Sequence, residues 1–346
     1  MLSSLIRENL KKIKPYISAR MLNQGGVLLD ANENALGSPV STDFRVELNR
    51  YPDPYSSVLR KRLVQDLRVP KSAIFIGNGS DEIIDLLIKL LVEPSERVLI
   101  FQPTYGLYAV RAELAGAKIV SCQLTSDFQI DFNKVRKCLK DKVKIVFCCS
   151  PNNPTGNLLQ RKDIEKLCQE TKGIVVVDEA YVEFSSQPSL LRKIREFPNL
   201  IIMRTFSKAW GLAGARVGYA VADPTIVRFL DRIKLPYNVS SLSARLALEA
   251  LNQKEIMLQY RGQIVTERDR LQEKLNNLGF TVFPSEANFL LVMKSSAPKI
   301  ANKLRKQFGI IVRDFSESRV LKNCLRISIG TPSQNRLLLK ALSKII

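Results

Sequence analysis

Five short apolar runs, each finishing at a polar cluster, constrain this chain more than any other feature. The run 73–76 (AIFI) leads into GNGSDE, and 98–101 (VLIF) leads into QPTYG. The run 143–149 (VKIVFCC) leads into SPNNPTG, 174–177 (IVVV) into DEAY, and 200–203 (LIIM) into the segment 205–219, TFSKAWGLAGARVGY. Near-continuous apolar strands with helix-like stretches between them indicate a parallel sheet buried on both faces. Ligands in such sheets bind beyond the carboxyl ends of the strands. The five clusters are therefore predicted to converge at one edge of one sheet.

Further along, the pattern changes. One long helix is predicted from about Ser243 to a stop at Gly279. Short strands and helices follow: TVFP, FLLVM, a helix to Phe308, GIIVRDF and CLRISIG. Thr331-Pro332-Ser333-Gln334 places a capping box, with proline at the first helical position, ahead of the last helix. The expected architecture is α/β. A large domain over 31–242 carries a mostly parallel central sheet, a smaller α+β domain covers 243–346, and an N-terminal arm covers 1–30.

At 346 residues the chain is long enough for two domains. No apolar run reaches the roughly 20 residues that span a bilayer. The basic start, MLSSLIRENLKKIKPY, lacks the apolar stretch of a signal peptide. A cytoplasmic protein that does not use a membrane is expected. The absence of histidine excludes Ser-His-Asp and Cys-His catalysis and histidine-ligated zinc. Acid–base work then falls to Lys, Tyr, Asp, Glu or a cofactor. None of the six cysteines forms a C-x-x-C pair, and no metal site is expected. Cys148 and Cys149 lie in an apolar run as small core residues. The net charge of +20 is spread along the chain rather than blocked. That distribution suits a solvated basic surface that steers small anions, and no nucleic-acid partner is expected.

Lys208 is the centre of the last cluster. A lysine amine becomes a nucleophile when its surroundings lower its pKa. Ser207 beside it offers a hydroxyl and Arg216 a fixed cation, both suited to a phosphate. The pattern S-K-x-x-G-L-A-G-x-R-x-G-Y resembles the lysine segment of the fold type I aminotransferases that use pyridoxal 5′-phosphate. Within them it most resembles the histidinol-phosphate aminotransferases. G-N-G-S-D-E, S-P-N-N-P-T-G and D-E-A-Y precede the lysine segment in that family's order, so the resemblance runs along nearly the whole chain. One departure is Ala35, which follows Asn-Glu-Asn where the family usually has proline.

The resemblance implies a pyridoxal phosphate cofactor bonded to Lys208 and an N-terminal segment packed with the small domain. It matches Asp178 to the carboxylate that keeps the cofactor's ring nitrogen protonated. It matches Asn153 and Tyr181 to the donors on the phenolic oxygen, and Tyr105 to the aromatic stacked on the ring. Ser80 and Asp81 lie at a predicted helix N-terminus, whose free N–H groups favour the phosphate. The Asp81 carboxylate would oppose that anion, so its contribution is expected from its N–H. Ser207 and Arg216 complete the cradle. Tyr51, in Y-P-D-P-Y, matches a tyrosine that reaches the cofactor phosphate of the partner subunit, which implies a homodimer. Arg326 matches the arginine that binds the carboxylate of glutamate or the substrate phosphate, with Arg313 and Tyr16 as further candidates. In C-L-R-I-S-I, Leu325, Ile327 and Ile329 alternate onto one face, so Arg326 and Ser328 point the other way. The implied reaction converts L-histidinol phosphate and 2-oxoglutarate to imidazole acetol phosphate and L-glutamate. An aromatic or broad-specificity aminotransferase, or a threonine-phosphate decarboxylase, would share every motif that touches the cofactor.

Overall fold

All five apolar runs become strands of one sheet. The structure, a computed structural model, describes residues 10, 16, 19–22, 25–40, 48–139 and 142–346. Most of the arm expected over 1–30 lies outside the described residues. The strands are β1 (Val27–Leu29), β2 (Ile74–Gly77), β3 (Arg97–Gln102), β4 (Lys118–Gln123), β5 (Val143–Cys149) and β6 (Ile174–Asp178). They continue with β7 (Leu200–Thr205), β8 (Gly218–Val221), β9 (Thr281–Val282), β10 (Phe289–Met293), β11 (Ile310–Asp314) and β12 (Cys324–Ser328).

The large sheet has the order β2-β8-β7-β6-β5-β3-β4. Strands β7, β6, β5, β3 and β4 pair in parallel, and β8 runs antiparallel to both its neighbours. Successive side chains of a strand point to opposite faces, and here both faces are covered. Ile145, Phe147, Val176 and Ile201 pack on one side with Ile83, Leu87 and Leu230 of the helices Gly79–Leu91 and Pro224–Ile233. Val146, Cys148, Val175 and Ile202 pack on the other with Val135, Ile164 and Leu167 of the helices Phe132–Leu139 and Arg161–Glu170. Two-sided burial is why these strands read as unbroken apolar runs. Each fully buried Val, Ile or Phe contributes about 1.5–3 kcal/mol.

The second sheet has the order β1-β11-β12-β10-β9. Strand β1 pairs parallel to β11, with Val27 opposite Ile310, and the other pairs are antiparallel. A strand from the N-terminal segment therefore completes a sheet built from the last third of the chain. The capping box forms: Thr331 Oγ1 accepts the Gln334 N–H at 3.2 Å, and Gln334 Oε1 accepts the Thr331 N–H at 2.8 Å.

The single helix expected from about Ser243 to Gly279 is two helices, Ser241–Asn252 and Lys254–Asn277. They break at Gln253 (φ −100°, ψ 34°), whose N–H reaches both the Glu249 and Ala250 carbonyls. No glycine or proline marks the break, so the apolar periodicity runs through it.

Candidate active site

The clusters that close β2, β3, β5, β6 and β7 meet at the carboxyl edge of the large sheet, with β1 and β12 arriving from the second sheet. Beyond β7, the chain turns and aims Lys208 across the edge. Its Nζ donates to the Ala31 carbonyl at 3.0 Å and lies 5.8 Å from the Tyr181 ring centroid. Burial and the neighbouring Arg326 cation lower its pKa to about 8. Near neutral pH such an amine has an appreciable uncharged fraction.

Asp178 is the last residue of β6 and is buried. Its Oδ2 accepts the Tyr108 hydroxyl at 2.6 Å, and its Oδ1 accepts the Ala180 N–H at 3.1 Å. Burial raises its pKa to about 6, against the pull of the Tyr108 hydrogen bond. Both hydrogen-bond donors are neutral. A buried carboxylate held this way gains from a cationic partner.

The anion cradle lies at the start of the helix Gly79–Leu91. The Asn78 side chain does not cap that end, and of the N–H groups there Glu82 Oε2 accepts only that of Asn78, so among the described residues the first helical N–H groups have no side-chain partner. Arg216 Nη1 donates to Ser207 Oγ at 3.3 Å, and Nη2 donates to Asp81 Oδ2 at 3.1 Å. The Asp81 carboxylate is further bonded by the Tyr105 hydroxyl at 3.2 Å. Two glycines keep this corner open. A Cβ at Gly79 would lie 2.7 Å from Arg216 Nη2, and one at Gly218 would lie 2.6 Å from the Ser80 nitrogen. Arg216 itself sits in the left-handed region (φ 53°), an uncommon state for a residue with a Cβ.

Tyr105 stands between two other tyrosines. Its ring meets Tyr16 edge-on at 5.8 Å and Tyr108 edge-on at 5.5 Å. Arg326 points away from its buried strand neighbours, as the alternation predicts. It donates from Nη1 to Asn153 Oδ1 at 2.5 Å and from Nη2 to the Asp30 carbonyl at 2.6 Å. Its Nε is buried without a partner among the described residues. Arg313 lies directly opposite it in the β11–β12 register.

The chain thus gathers Lys208, Asp178, Ser80, Asp81, Ser207, Arg216, Tyr105, Asn153, Tyr181, Arg326, Arg313 and Tyr16 around one edge. Tyr51 stands apart from them. It is 82% exposed and stacks on Tyr237 at 4.6 Å, with the rings 11° from parallel. Sequence reasoning missed Tyr108, Asn32 and Asn288. Tyr108 lies in the first turn of the helix Leu107–Leu114, three residues after Tyr105, and carries no motif of its own. Asn32 lies in the A-N-E-N stretch, but nothing local tells what it bonds. Among the described residues, no group of three His, Cys, Asp or Glu side chains is arranged to hold a metal ion.

Over residues 29–342 the chain matches the family described as aminotransferase class I and II. It is 44% identical to the histidinol-phosphate aminotransferase of Parabacteroides distasonis, over 99% of each chain. It is 40% identical to that of Cytophaga hutchinsonii, over 99% of this chain and 98% of the relative. Among solved structures, the histidinol-phosphate aminotransferase from Clostridium acetobutylicum has a TM-score of 0.84 at 28% identity, covering 92% of this chain and 98% of that one. The enzyme from Sinorhizobium meliloti, solved in complex with pyridoxal-5′-phosphate, has a TM-score of 0.89 at 24% identity, over 99% and 97% of the two chains, and shares the fold.

Proposed function

The chain belongs to the class I and II aminotransferases and, within them, to the histidinol-phosphate aminotransferases, and on that footing we propose that it moves the amino group of L-histidinol phosphate to 2-oxoglutarate with pyridoxal 5′-phosphate as cofactor. One observation carries the reading. A lysine amine with a pKa near 8 shares an edge with a buried carboxylate whose donors among the described residues are neutral, beside a cationic anion cradle.

That donor set fits the cofactor group by group. Asp178 would take the ring's N–H⁺ as its missing cation. The Ser80 and Asp81 N–H groups, Ser207 and Arg216 would take the phosphate. Asn153 and Tyr181 would face the phenolic oxygen, Tyr105 the ring face, and Lys208 the aldehyde carbon. When bound, the cofactor supplies an electron-withdrawing ring that stabilises negative charge on the substrate carbon.

The chain's own residues supply the rest. Lys208 Nζ, uncharged in part at neutral pH, accepts the proton of the amine-bearing carbon and returns it on the other side of the exchange. The Arg326 guanidinium, with Nε buried and unbonded among the described residues, anchors the substrate's anionic end. The net charge of +20 steers cofactor and substrates, all anions, toward the protein. The protein is further proposed to work as a cytoplasmic homodimer. The exposed Tyr51–Tyr237 stack supports the dimer. The six free thiols suit a reducing compartment.

A substrate panel tests the reading. Histidinol phosphate, phenylalanine, tyrosine and threonine phosphate are each supplied with 2-oxoglutarate. The highest kcat/KM is expected for histidinol phosphate, with glutamate formed and no carbon dioxide released. Preference for an unphosphorylated aromatic amine, or carbon dioxide from threonine phosphate, overturns it.

A further inference from the structure

Asn32 is a buried residue in the left-handed region (φ 54°), and it ties together three distant parts of the chain. Its N–H donates to Ser328 Oγ at 2.8 Å, and its carbonyl accepts from Asn288 Nδ2 at 3.0 Å. Its side-chain Oδ1 accepts the Ser328 hydroxyl at 2.9 Å, and its Nδ2 donates to the Tyr181 hydroxyl oxygen at 3.1 Å.

Proton counting fixes which end of the amide faces which neighbour. Ser328 Oγ already accepts the Asn32 N–H, and its own proton goes to Asn32 Oδ1. Turning the amide over would deprive that proton of its acceptor at a residue only 3% exposed. The end facing Tyr181 is therefore the NH₂, which can only donate. The Tyr181 oxygen accepts there, and its one proton is left for another partner. Burial holds that phenol well above its usual pKa, so the proton stays on.

We propose that Asn32 is a positioning residue that turns the Tyr181 hydroxyl proton into the pocket, toward the phenolic oxygen of the bound cofactor, with Ser328 setting the orientation of the amide. The proposal rests on the transaminase reading above. A donor on an anionic oxygen stabilises the deprotonated form. Losing that donor therefore raises the pH midpoint of the holoprotein's visible spectral change.

Glycine accepts the left-handed backbone of Asn32, so Asn32→Gly removes the amide without adding strain. The test compares Asn32→Gly, Tyr181→Phe, the double variant and Ser328→Ala by spectral pH titration, with apoprotein melting temperatures alongside. Tyr181→Phe should raise the midpoint by about one pH unit or more. Asn32→Gly should raise it by a large part of that, because a hydroxyl without its anchor can turn away. The double variant should go no higher than Tyr181→Phe alone. Ser328→Ala should shift it in the same direction by less.

Additive shifts in the double variant overturn the proposal. So does an unmoved midpoint in Asn32→Gly with only a lower melting temperature, which would mark a purely structural residue. Should Asn32→Gly fail to fold, a folded, coloured Ser328→Ala with an unmoved midpoint overturns it equally. A wild-type protein that develops no visible band with pyridoxal phosphate instead overturns the transaminase reading, and this inference falls with it.

Discussion

Tyr108 donates its hydroxyl to Asp178 at 2.6 Å, and this neutral bond offsets part of the cost of a buried carboxylate charge. Asp178 nonetheless titrates near 6 instead of 3.8. An acid whose pKa is raised by folding adds stability at pH values below its unfolded pKa and loses that contribution as pH climbs through the folded one. Relative to wild type, Asp178→Asn apoprotein should therefore gain stability between about pH 4 and 6, by on the order of 3 kcal/mol, and level off above. Melting temperatures across that range measure the difference. A difference that stays flat with pH would mean that Asp178 titrates normally.

Lys208 should be the residue that carries the cofactor. Borohydride reduction of the holoprotein, followed by peptide mapping, should place the label there. Lys208→Ala should lower kcat at least about a hundredfold. In the apoprotein its amine should react with acylating reagents with half its full rate near pH 8, well below ordinary lysines. A label on another lysine would contradict the assignment.

Arg326→Ala should lower kcat/KM for glutamate and for the phosphorylated amine together, by about ten- to a hundredfold. Arg326→Lys should recover only part, because a point charge does not reproduce the planar fork. Arg326 Nη1 also holds Asn153 Oδ1, so truncation should disturb the visible spectrum as well as substrate affinity. Wild-type kcat/KM in both half-reactions would shift the role to Arg313, its cross-strand neighbour.

Tyr51 presents its ring to solvent in this chain and stacks on Tyr237. A Tyr51→Phe chain mixed with a Lys208→Ala chain should give heterodimers more active than either parent, with about half the wild-type rate per dimer because one of two sites is intact. No recovery in a verified heterodimer, or a fully active monomer, would rule out shared sites.

Five of the seven large-sheet strands were legible because burial on both faces writes an apolar run into the sequence. The other two were not, for different reasons. In β4, an edge strand, most side chains stay partly in water, so KIVSCQ carries no such run. In β8, the strand begins in the last two residues of the lysine motif, so G-Y-A-V reads as the tail of a loop. At the site, the residues that carry a motif were found and those positioned by register were not. Ser328 was expected on the Arg326 side of its strand, but only the packing of β12 against the 27–36 segment brings it to Asn32. Tyr108 likewise needs the pairing of β3 with β5, and of β5 with β6, to reach Asp178.

The bonds between Asn32 and Ser328 join residues 296 positions apart. During synthesis, all the strands of the large sheet have been made once residue 221 is complete. Ser80, Ser207 and Arg216 can therefore meet while translation is still under way. The Asp30–Arg326 and Asn32–Ser328 bonds cannot, and β1 has no partner strand until β11 exists. A long loop costs entropy to close before its contacts repay it. A ribosome-bound chain arrested before β12 would thus possess an anion cradle without its substrate arginine. On the proposed reading, the order of translation would let the cradle for the cofactor form early and would complete the substrate end last.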